Sequence, residues 1–198
     1  VHQEITIDLE FKYSDNTDGI ILGKMSDGWD GSYYVGMNPG GPDGYGKARW
    51  AFYPESFVHD IYFDTEFIFE EDTFYQLTCT YDGYNAKIYV NGVLDVDVIP
   101  EYIGPLKSTD IPVIFGKKYD NDVASAFNGT IRKARIWDKA LDINSLDHHD
   151  EFLLSEWNFN EGSENIFNDN SGNQNHGTIY GAEWINNEIE YLTIFSNT

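Results

Sequence analysis

Residues 75–98, YQLTCTYDGYNAKIYVNGVLDVDV, decide the fold class of this chain. Apolar and polar side chains alternate on both sides of an Asn-Gly pair at positions 91 and 92. Because successive side chains of a strand point to opposite faces, the alternation predicts two half-buried strands. Asn and Gly both tolerate positive φ, so an Asn-Gly pair between such runs predicts a β-hairpin. In its second strand we expect Leu94, Val96 and Val98 to point to one face.

The same two-residue period opens the chain. The alternating apolar residues there are Ile5, Ile7, Leu9 and Phe11. Two more strands are predicted at residues 112–116 and 129–137, the latter with a β-bulge where the apolar phase slips between Ile131 and Ala134. Residues 138–149 are the only plausible helix, a turn or two long. Many short strands with turn residues between them predict an all-β fold, a two-sheet antiparallel jelly-roll sandwich.

The composition fits one such sandwich. The chain has 198 residues, of which 41% are hydrophobic and 16% aromatic, enough apolar surface for a continuous core. Sandwiches of about 200 residues commonly form a single domain. No tandem repeat and no Pro- or Ser-rich linker interrupts the sequence. We therefore expect one domain over residues 1–198, in which C-terminal strands at about residues 152–185 complete the sandwich.

The charge and the cysteine content of the chain argue against several classes of partner and site. Asp and Glu number 34 against 12 Lys and Arg, a formal net charge of −22. A field of that sign repels the phosphate backbone of nucleic acids and anionic membrane surfaces. No apolar run reaches the roughly 18 residues of a membrane-spanning helix. Cys79 is the single cysteine, so no internal disulfide and no cysteine-rich zinc site can form. We expect no nucleic-acid partner and no membrane insertion.

Three stretches of the chain resemble a known family. They are YQLTCTYDGYNAKIYVNG at residues 75–92, FNGTIRKARIWDKAL at 127–141 and WNFNEGSENIFNDNSGNQNHGTIYGAEW at 157–184. Together they resemble laminin-G-like domains of the concanavalin A-like lectin/glucanase superfamily, to which the pentraxins are related. The resemblance implies two antiparallel sheets with loops at the rim. It also implies frequent calcium binding and ligands such as glycans or proteins.

One feature departs from the family pattern. The Trp-x-Phe-x-Glu-Gly block that begins at Trp157 opens the domain in many relatives, whereas here it closes the sequence. Either the strand order is permuted, or the block begins a following repeat. We favour permutation, because the front of the chain lacks an equivalent block and the sandwich needs that strand.

The Asn- and Asp-rich loop in the third stretch is a candidate calcium site. Asp169, Asn173 and Asn175 place carboxylate and amide oxygens close together, and calcium prefers such hard oxygen ligands. The alternative is a turn in which these side chains bond to their own backbone.

The resemblance to pentraxins points to a second candidate. Their calcium ligands lie in the loop between the strands that correspond to residues 112–116 and 129–137. Counted from Gly116, Asp120 matches one ligand, with Asp122 close by, but Lys118 occupies the preceding acidic position. The match is incomplete, and a solvated turn is the alternative.

Aromatic residues around the glycine-rich stretch at 38–46 form a candidate carbohydrate site. The residues of this platform are Trp29, Asp30, Tyr45, Arg49 and Trp50. Sugar rings have apolar C–H faces that aromatic planes complement, while polar side chains fix their orientation. The alternative is that Trp50 and Phe52 alternate into the core, which leaves Trp29 and Tyr45 as ordinary loop residues.

No sequence motif predicts catalysis. Glucanases with this fold carry Glu-x-Asp-x-x-Glu on one strand, so that two carboxylates flank the scissile bond about 5 Å apart. The nearest acidic cluster, DTEFIFEED at residues 64–72, has the wrong spacing. We therefore predict no catalytic residue and no enzyme activity, and a degraded glycan-cleaving enzyme is the least favoured alternative.

These observations favour a non-catalytic binding module stabilised by a structural calcium ion. Its expected partner is a glycan or polysaccharide. The alternative is a protein-binding adhesion or spacer domain of a bacterial surface or phage-fibre protein, with a protein receptor as partner. The chain opens in a strand rather than a signal peptide, so we expect it to be part of a larger secreted or cell-surface protein.

Overall fold

The computed structural model describes residues 3–14, 19–26, 31–38, 46–118, 126–163, 165–187 and 189–194. Within them the chain forms strands and two short 3-10 helices. The strands are β1 Ile5–Tyr13, β2 Gly19–Met25, β3 Gly31–Asn38, β4 Lys47–Phe52, β5 Ile61–Asp64, β6 Tyr75–Tyr81, β7 Ala86–Val90, β8 Val93–Val98, β9 Ile114–Phe115, β10 Gly129–Trp137, β11 Leu153–Trp157, β12 Ile166–Phe167, β13 Gly177–Thr178, β14 Ala182–Asn187 and β15 Ile189–Ile194. The 3-10 helices are Ile143–His148 and Asp150–Phe152.

The described strands build two large antiparallel sheets. The eight-stranded sheet has the order β14-β15-β10-β1-β6-β7-β8, and β11 also pairs with β10. The five-stranded sheet has the order β5-β4-β3-β2-β9, and β12 and β13 form a small separate ribbon. The predicted all-β, two-sheet jelly-roll sandwich is confirmed. The strand that ends at Trp157 lies beside β10 within this sandwich.

The core lies between the two sheets. On β1 the inward residues predicted from the alternation are all buried, each at most 1% exposed. Across the core, the ring of Phe52 on β4 stacks on Tyr81 of β6 at a centroid distance of 4.2 Å. Trp50 belongs to the same cluster of buried residues. Alternation on both sheets therefore supplies the apolar layer that holds them together.

The predicted hairpin between β7 and β8 is present. Asn91 and Gly92 both have positive φ, 49° and 78°, as a tight two-residue turn requires. The prediction that Leu94 shares a face with Val96 is wrong, because the register shifts between Ile88 and Tyr89 of the partner strand. The extra residue of β8 turns Leu94 outward, where it is 49% exposed.

The predicted bulge in β10 is also present. The register with β1 shifts so that Lys133 faces Glu10 and Ile131 faces Phe11, which leaves Arg132 as the extra residue. The Arg132 guanidinium lies 3.3 Å from the ring centroid of Phe74 and donates to Glu10 at 3.0 Å. The bulge thus turns Arg132 toward partners on the outward face of the sheet.

A buried ion pair lies on the outward face of the eight-stranded sheet. Asp8 of β1 accepts hydrogen bonds from Arg135 of β10 at 2.9 and 3.3 Å. Its other carboxylate oxygen accepts from Gln76 and Thr78 of β6 at 2.9 and 2.7 Å. Arg135 also donates to Asp147, which follows the strand in a 3-10 helix. Buried charges are tolerated where they are paired in this way.

The predicted helical segment is short. Ile143–His148 is a 3-10 helix whose N-cap, Asp142, accepts a hydrogen bond from the backbone N–H of Asn144. Leu146 packs against Trp137 at the end of β10. In the part of the chain that the structure describes, no helix has the length and apolar character needed to cross a membrane.

Candidate functional site

The outward face of the five-stranded sheet carries a polar and aromatic cluster at its β5 edge. In the pairing of β4 with β5, Arg49 faces Asp64 and Ala51 faces Tyr62. Trp50 lies between Arg49 and Ala51 and packs into the core, so its neighbours point the other way. We call Tyr34, Arg49, Asp60, Tyr62 and Asp64 the outer-face cluster.

Arg49 is the centre of this cluster. Its guanidinium binds Asp64 in a bidentate manner, with N–O distances of 2.7 and 2.9 Å. It also lies 3.9 Å from the ring centroid of Tyr62. Burial lowers the pKa of Arg49, but the hydrogen bonds and charge of Asp64 outweigh burial and raise it above the usual value. The guanidinium is therefore a fixed, permanently charged plane.

Tyr34 and Asp60 continue the cluster. The Tyr34 hydroxyl donates to the Asp60 carboxylate at 3.0 Å. Burial and then the charge of Asp60 raise the pKa of Tyr34, so its hydroxyl stays a hydrogen-bond donor at physiological pH. Tyr34 also packs in a small buried group with Met25, Ala51 and others. The ring of Tyr34 is thus held rigidly beneath the exposed part of the cluster.

Tyr62 provides the exposed surface of the cluster. Its side chain is 51% exposed, although it sits on a strand and stacks with Arg49. Aromatic planes bordered by fixed hydrogen-bonding groups suit ligands that have both apolar faces and hydroxyl groups. Asp60 and Asp64 supply acceptor oxygens beside that plane. The arrangement can hold a ring and orient it.

A model for the concanavalin A-like lectin/glucanases superfamily matches residues 1–145, most of the chain. The chain belongs to this superfamily. The resemblance read from the sequence is therefore confirmed. Comparison with curated protein sequences gave no match.

Solved structures share the fold of this superfamily member. A candidate carbohydrate-binding protein of Bacteroides ovatus matches with a TM-score of 0.72 at 17% identity, over 90% of this chain and 52% of its own. The CBM40 module of the Ruminococcus gnavus IT-sialidase, bound to α2,3-sialyllactose, matches at 0.58 and 15% identity, over 74% and 81%. A heptameric SAP-like pentraxin of Limulus polyphemus matches at 0.56 and 15% identity, over 74% and 69%. The chain spans about half the length of the Bacteroides ovatus protein.

The structure of this superfamily member describes two residues of the predicted sugar platform, Arg49 and Trp50. Arg49 lies on the outward face, but Trp50 is completely buried and cannot stack on a ligand, so its assignment to the platform is wrong. The physical reason is the strand alternation, which turns Trp50 toward Phe52 in the core at a centroid distance of 5.5 Å. Trp29, Asp30 and Tyr45 lie outside the described residues.

Asp169 in the Asn-rich loop is buried, and its carboxylate accepts hydrogen bonds from the loop and from β11. One carboxylate oxygen accepts hydrogen bonds from the backbone N–H groups of Glu156 and Ser171, both at 2.9 Å. The other accepts from Asn175 N–H at 2.9 Å and from the Ser171 hydroxyl at 2.8 Å. Burial raises the pKa of Asp169, but these bonds outweigh burial and lower it below the usual value.

The two asparagines predicted as ligands act mainly as donors. The side-chain amide of Asn173 donates to the carbonyls of Leu153 and Leu154 at 2.8 and 3.1 Å. That of Asn175 donates to Leu154 at 3.0 Å. A carboxylate has about four acceptor positions, and four donors fill those of Asp169. The loop geometry therefore favours a structural turn over a cation site.

Calcium itself stays a prediction. Asp120 and Asp122, the second pair of expected ligands, lie outside the described residues. Among the residues that are described, no group of three or more His, Cys, Asp or Glu side chains is placed to hold a metal ion.

Sequence reasoning missed most of the outer-face cluster. Asp60 directly precedes β5, and Tyr62 and Asp64 stand at alternate positions of that strand, so acid, aromatic and acid follow at two-residue steps. That pattern is visible in the sequence. Its partners Tyr34 and Arg49 lie on two other strands, however, and only the sheet register brings them together.

Proposed function

We propose that this chain is a non-catalytic carbohydrate-binding module that works outside the cell as part of a larger protein. The outer-face cluster is the proposed contact surface for the sugar. The superfamily membership and the likeness to a candidate carbohydrate-binding protein and to a CBM40 module support this assignment.

One observation carries the proposal. Tyr62 is half exposed on a sheet face with the Arg49 guanidinium packed at 3.9 Å, and Asp64 fixes that guanidinium by two hydrogen bonds. A side chain held in this way loses little further conformational entropy when a ligand binds. The plane of Tyr62 can therefore stack on the C–H face of a sugar ring while its neighbours bind the hydroxyl groups.

The charge of the cluster favours neutral sugars. The Arg49 cation is already neutralised by Asp64, and Asp60 adds a further carboxylate. An acidic sugar in this place would meet uncompensated negative charge. We therefore expect the cluster to bind neutral polysaccharides rather than acidic ones.

The absence of catalysis is part of the proposal. The two carboxylates of the cluster accept hydrogen bonds from Arg49 and Tyr34, and the glucanase motif does not occur in the sequence. A retaining or inverting glycosidase needs one carboxylic acid that can donate a proton. The described cluster supplies acceptors and a binding plane instead.

Retention on polysaccharides tests the proposal. Affinity electrophoresis of the full chain against a panel of neutral and acidic polysaccharides is expected to show retardation by at least one neutral polymer. Tyr62→Ala should abolish that retardation and Tyr62→Phe should keep it, since stacking needs the ring and not the hydroxyl. Tyr84→Ala is the matched control, because Tyr84 is 53% exposed but lies at the β6–β7 turn. Equal retardation of the Tyr62→Ala and wild-type chains would refute the assignment of the site.

A protein-binding role is the second candidate. Val58 and Ile103 are 73% and 43% exposed beside a stacked pair of rings, Phe57 and Tyr102, whose centroids lie 3.9 Å apart. Exposed apolar groups gathered in this way are common in protein interfaces. Beads that carry the chain should adhere to polysaccharide-coated surfaces under the first proposal. Adhesion to protein-coated surfaces alone, lost in a Val58→Ser/Ile103→Ser variant, would favour the second.

A further inference from the structure

A second concave site lies between the two sheets, away from the outer-face cluster. It is a partly open cavity of about 480 Å³, within the range of small-molecule sites. β2 and β9 form one wall, β10 and β11 another, and the loop between β12 and β13 a third. The lining residues used below are Lys24, Tyr33, Phe115, Trp157, Phe167 and His176.

The apolar part of the wall is a rigid aromatic cluster. Phe115 meets Trp157 edge to face at a centroid distance of 5.1 Å and Phe167 at 5.8 Å. The indole N–H of Trp157 donates to the carbonyl of Asn175 at 2.9 Å, which fixes the orientation of the ring. These walls suit a ligand with an apolar ring face.

The polar part of the wall consists of donors. Lys24 donates a hydrogen bond to the carbonyl of Ile111 at 2.6 Å, and an ammonium group has three N–H donors in all. Burial lowers the pKa of Lys24, partly offset by the charge of Asp110. His176 accepts at Nδ1 from the backbone N–H of Asp169 at 3.1 Å, and an imidazole that accepts at one nitrogen donates from the other.

Tyr33 adds a hydroxyl-bearing side chain to the cavity wall. It is paired with Lys24 across β2 and β3, is only 4% exposed and lines the cavity. A phenol hydroxyl can donate a hydrogen bond to a ligand carboxylate.

The described lining of the cavity contains a cation and no acidic residue. The chain has a net charge of −22, yet none of the described residues that line the cavity is acidic, and Lys24 is a cation. Asp110 lies close enough to Lys24 to affect its pKa, and Asp169 contacts His176 and Asn175, so both carboxylates reduce the positive potential of the wall. Lys24 is nevertheless the charged group that a ligand carboxylate in the cavity can pair with.

We propose that this cavity binds a carboxylate-bearing six-membered ring, with the carboxylate at Lys24 and Tyr33 and the ring against Trp157 and Phe115. The shared chemistry fits a sugar acid or an aromatic acid. The cavity uses none of the residues of the outer-face cluster, so this proposal goes beyond the proposed function and does not depend on it.

Titration of the full chain with three probes tests the proposal. ¹H–¹⁵N spectra recorded with D-glucuronate, benzoate and D-glucose report both binding and folding. We expect saturable shifts of the amide signals of cavity-lining residues with glucuronate or benzoate, which identifies the source of the carboxylate, and at least tenfold weaker binding of glucose by the same signals. Equal binding of glucose and glucuronate, or binding of none of the three, would overturn the proposal.

Variants assign the binding to the cavity. Lys24→Met keeps the aliphatic stem and should weaken binding of the acid at least tenfold, and Tyr33→Phe should weaken it severalfold. Lys87→Met is the matched control, because Lys87 lies on β7 and pairs with Asp97 on the other side of the eight-stranded sheet from this cavity. Tyr62→Ala should leave acid binding unchanged. Unaltered binding in both the Lys24 and Tyr33 variants would contradict the assignment.

Discussion

Asp169 illustrates how one side chain can organise a loop. Its two carboxylate oxygens accept four hydrogen bonds from residues 156, 171 and 175, so the loop is built around a negative charge. In Asp169→Asn, the amide nitrogen replaces one acceptor and leaves its donors without a partner. We expect the free energy of unfolding to fall by about 2 kcal/mol, as for lost hydrogen bonds to a charged group. Urea denaturation at pH 7 measures this.

The direction of the pKa shift of Asp169 predicts how the effect of Asp169→Asn on stability depends on pH. The pKa of Asp169 in the folded chain lies below the ordinary 3.8, so its ionised form is stabilised by folding. That stabilisation is complete above pH 3.8 and is lost as the pH falls through the lower, folded-state pKa. The difference between the wild type and Asp169→Asn should therefore shrink in acid. A difference that is the same at pH 7 and well below pH 3.8 would contradict this account.

Asp8 and Glu10 allow a comparison of buried and exposed ion pairs on one strand. Asp8 is 4% exposed and pairs with Arg135, whereas Glu10 is 41% exposed and pairs with Arg132. Removal of one partner of a buried pair costs about 3 kcal/mol, because the other charge stays buried. We expect that loss for Asp8→Ala, and less than about 1 kcal/mol for Glu10→Ala. Equal unfolding midpoints in denaturant for the two variants would refute the distinction.

At the scale of single elements, the β7–β8 hairpin shows what a sequence pattern can predict. Alternation and the Asn-Gly pair predicted both strands and the turn. The outward position of Leu94 was not predictable. The bulge in β8 reverses the face to which Leu94 points, but apolar and polar residues still alternate in the sequence there. In β10, by contrast, the apolar phase itself slips, and the bulge at Arg132 was predicted.

Two glycines of the hairpins make a matched test of local geometry. A Cβ at Gly92 would meet no atom within 4 Å, so Gly92→Ala carries only the conformational cost of its positive φ, about 1 kcal/mol. A Cβ at Gly177 would lie 1.9 Å from Cζ of Phe167. Gly177→Ala must displace that ring and should cost more than Gly92→Ala. Thermal or urea unfolding measures the loss of stability in each variant. A larger loss for Gly92→Ala than for Gly177→Ala would contradict this explanation.

At the scale of the whole molecule, the fold was predictable and most of the site was not. The two-residue period of β1 and β6 defines inward faces regardless of which strands pair. The outer-face cluster depends on how β3, β4 and β5 are aligned with one another. No local sequence pattern specifies that alignment. Trp50 was misassigned because the platform hypothesis set aside the alternation of β4, in which Arg49 points outward while Trp50 and Phe52 point into the core.

Calcium is a prediction that only the intact protein can test. A cation held by the folded state alone raises the melting temperature, and a chelator lowers it. If the loop with Asp120 and Asp122 binds the ion, an Asp120→Asn/Asp122→Asn variant should lose this response. Asp169→Asn should keep it, since that carboxylate already has four donors. Identical melting curves of the wild type with calcium and with chelator would refute the prediction that the chain binds calcium.

The central place of β1 in its sheet has a consequence for biosynthesis. Ile7 pairs with Cys79 on β6 and with Ile136 on β10, so β1 receives its second neighbour only after β10 has been synthesised. Contacts so distant along the chain make folding slow, and unpaired apolar strands are prone to aggregate meanwhile. The ribosome must therefore synthesise β10 before this sheet can close around β1, and β1 is the segment that a chaperone has most reason to shield.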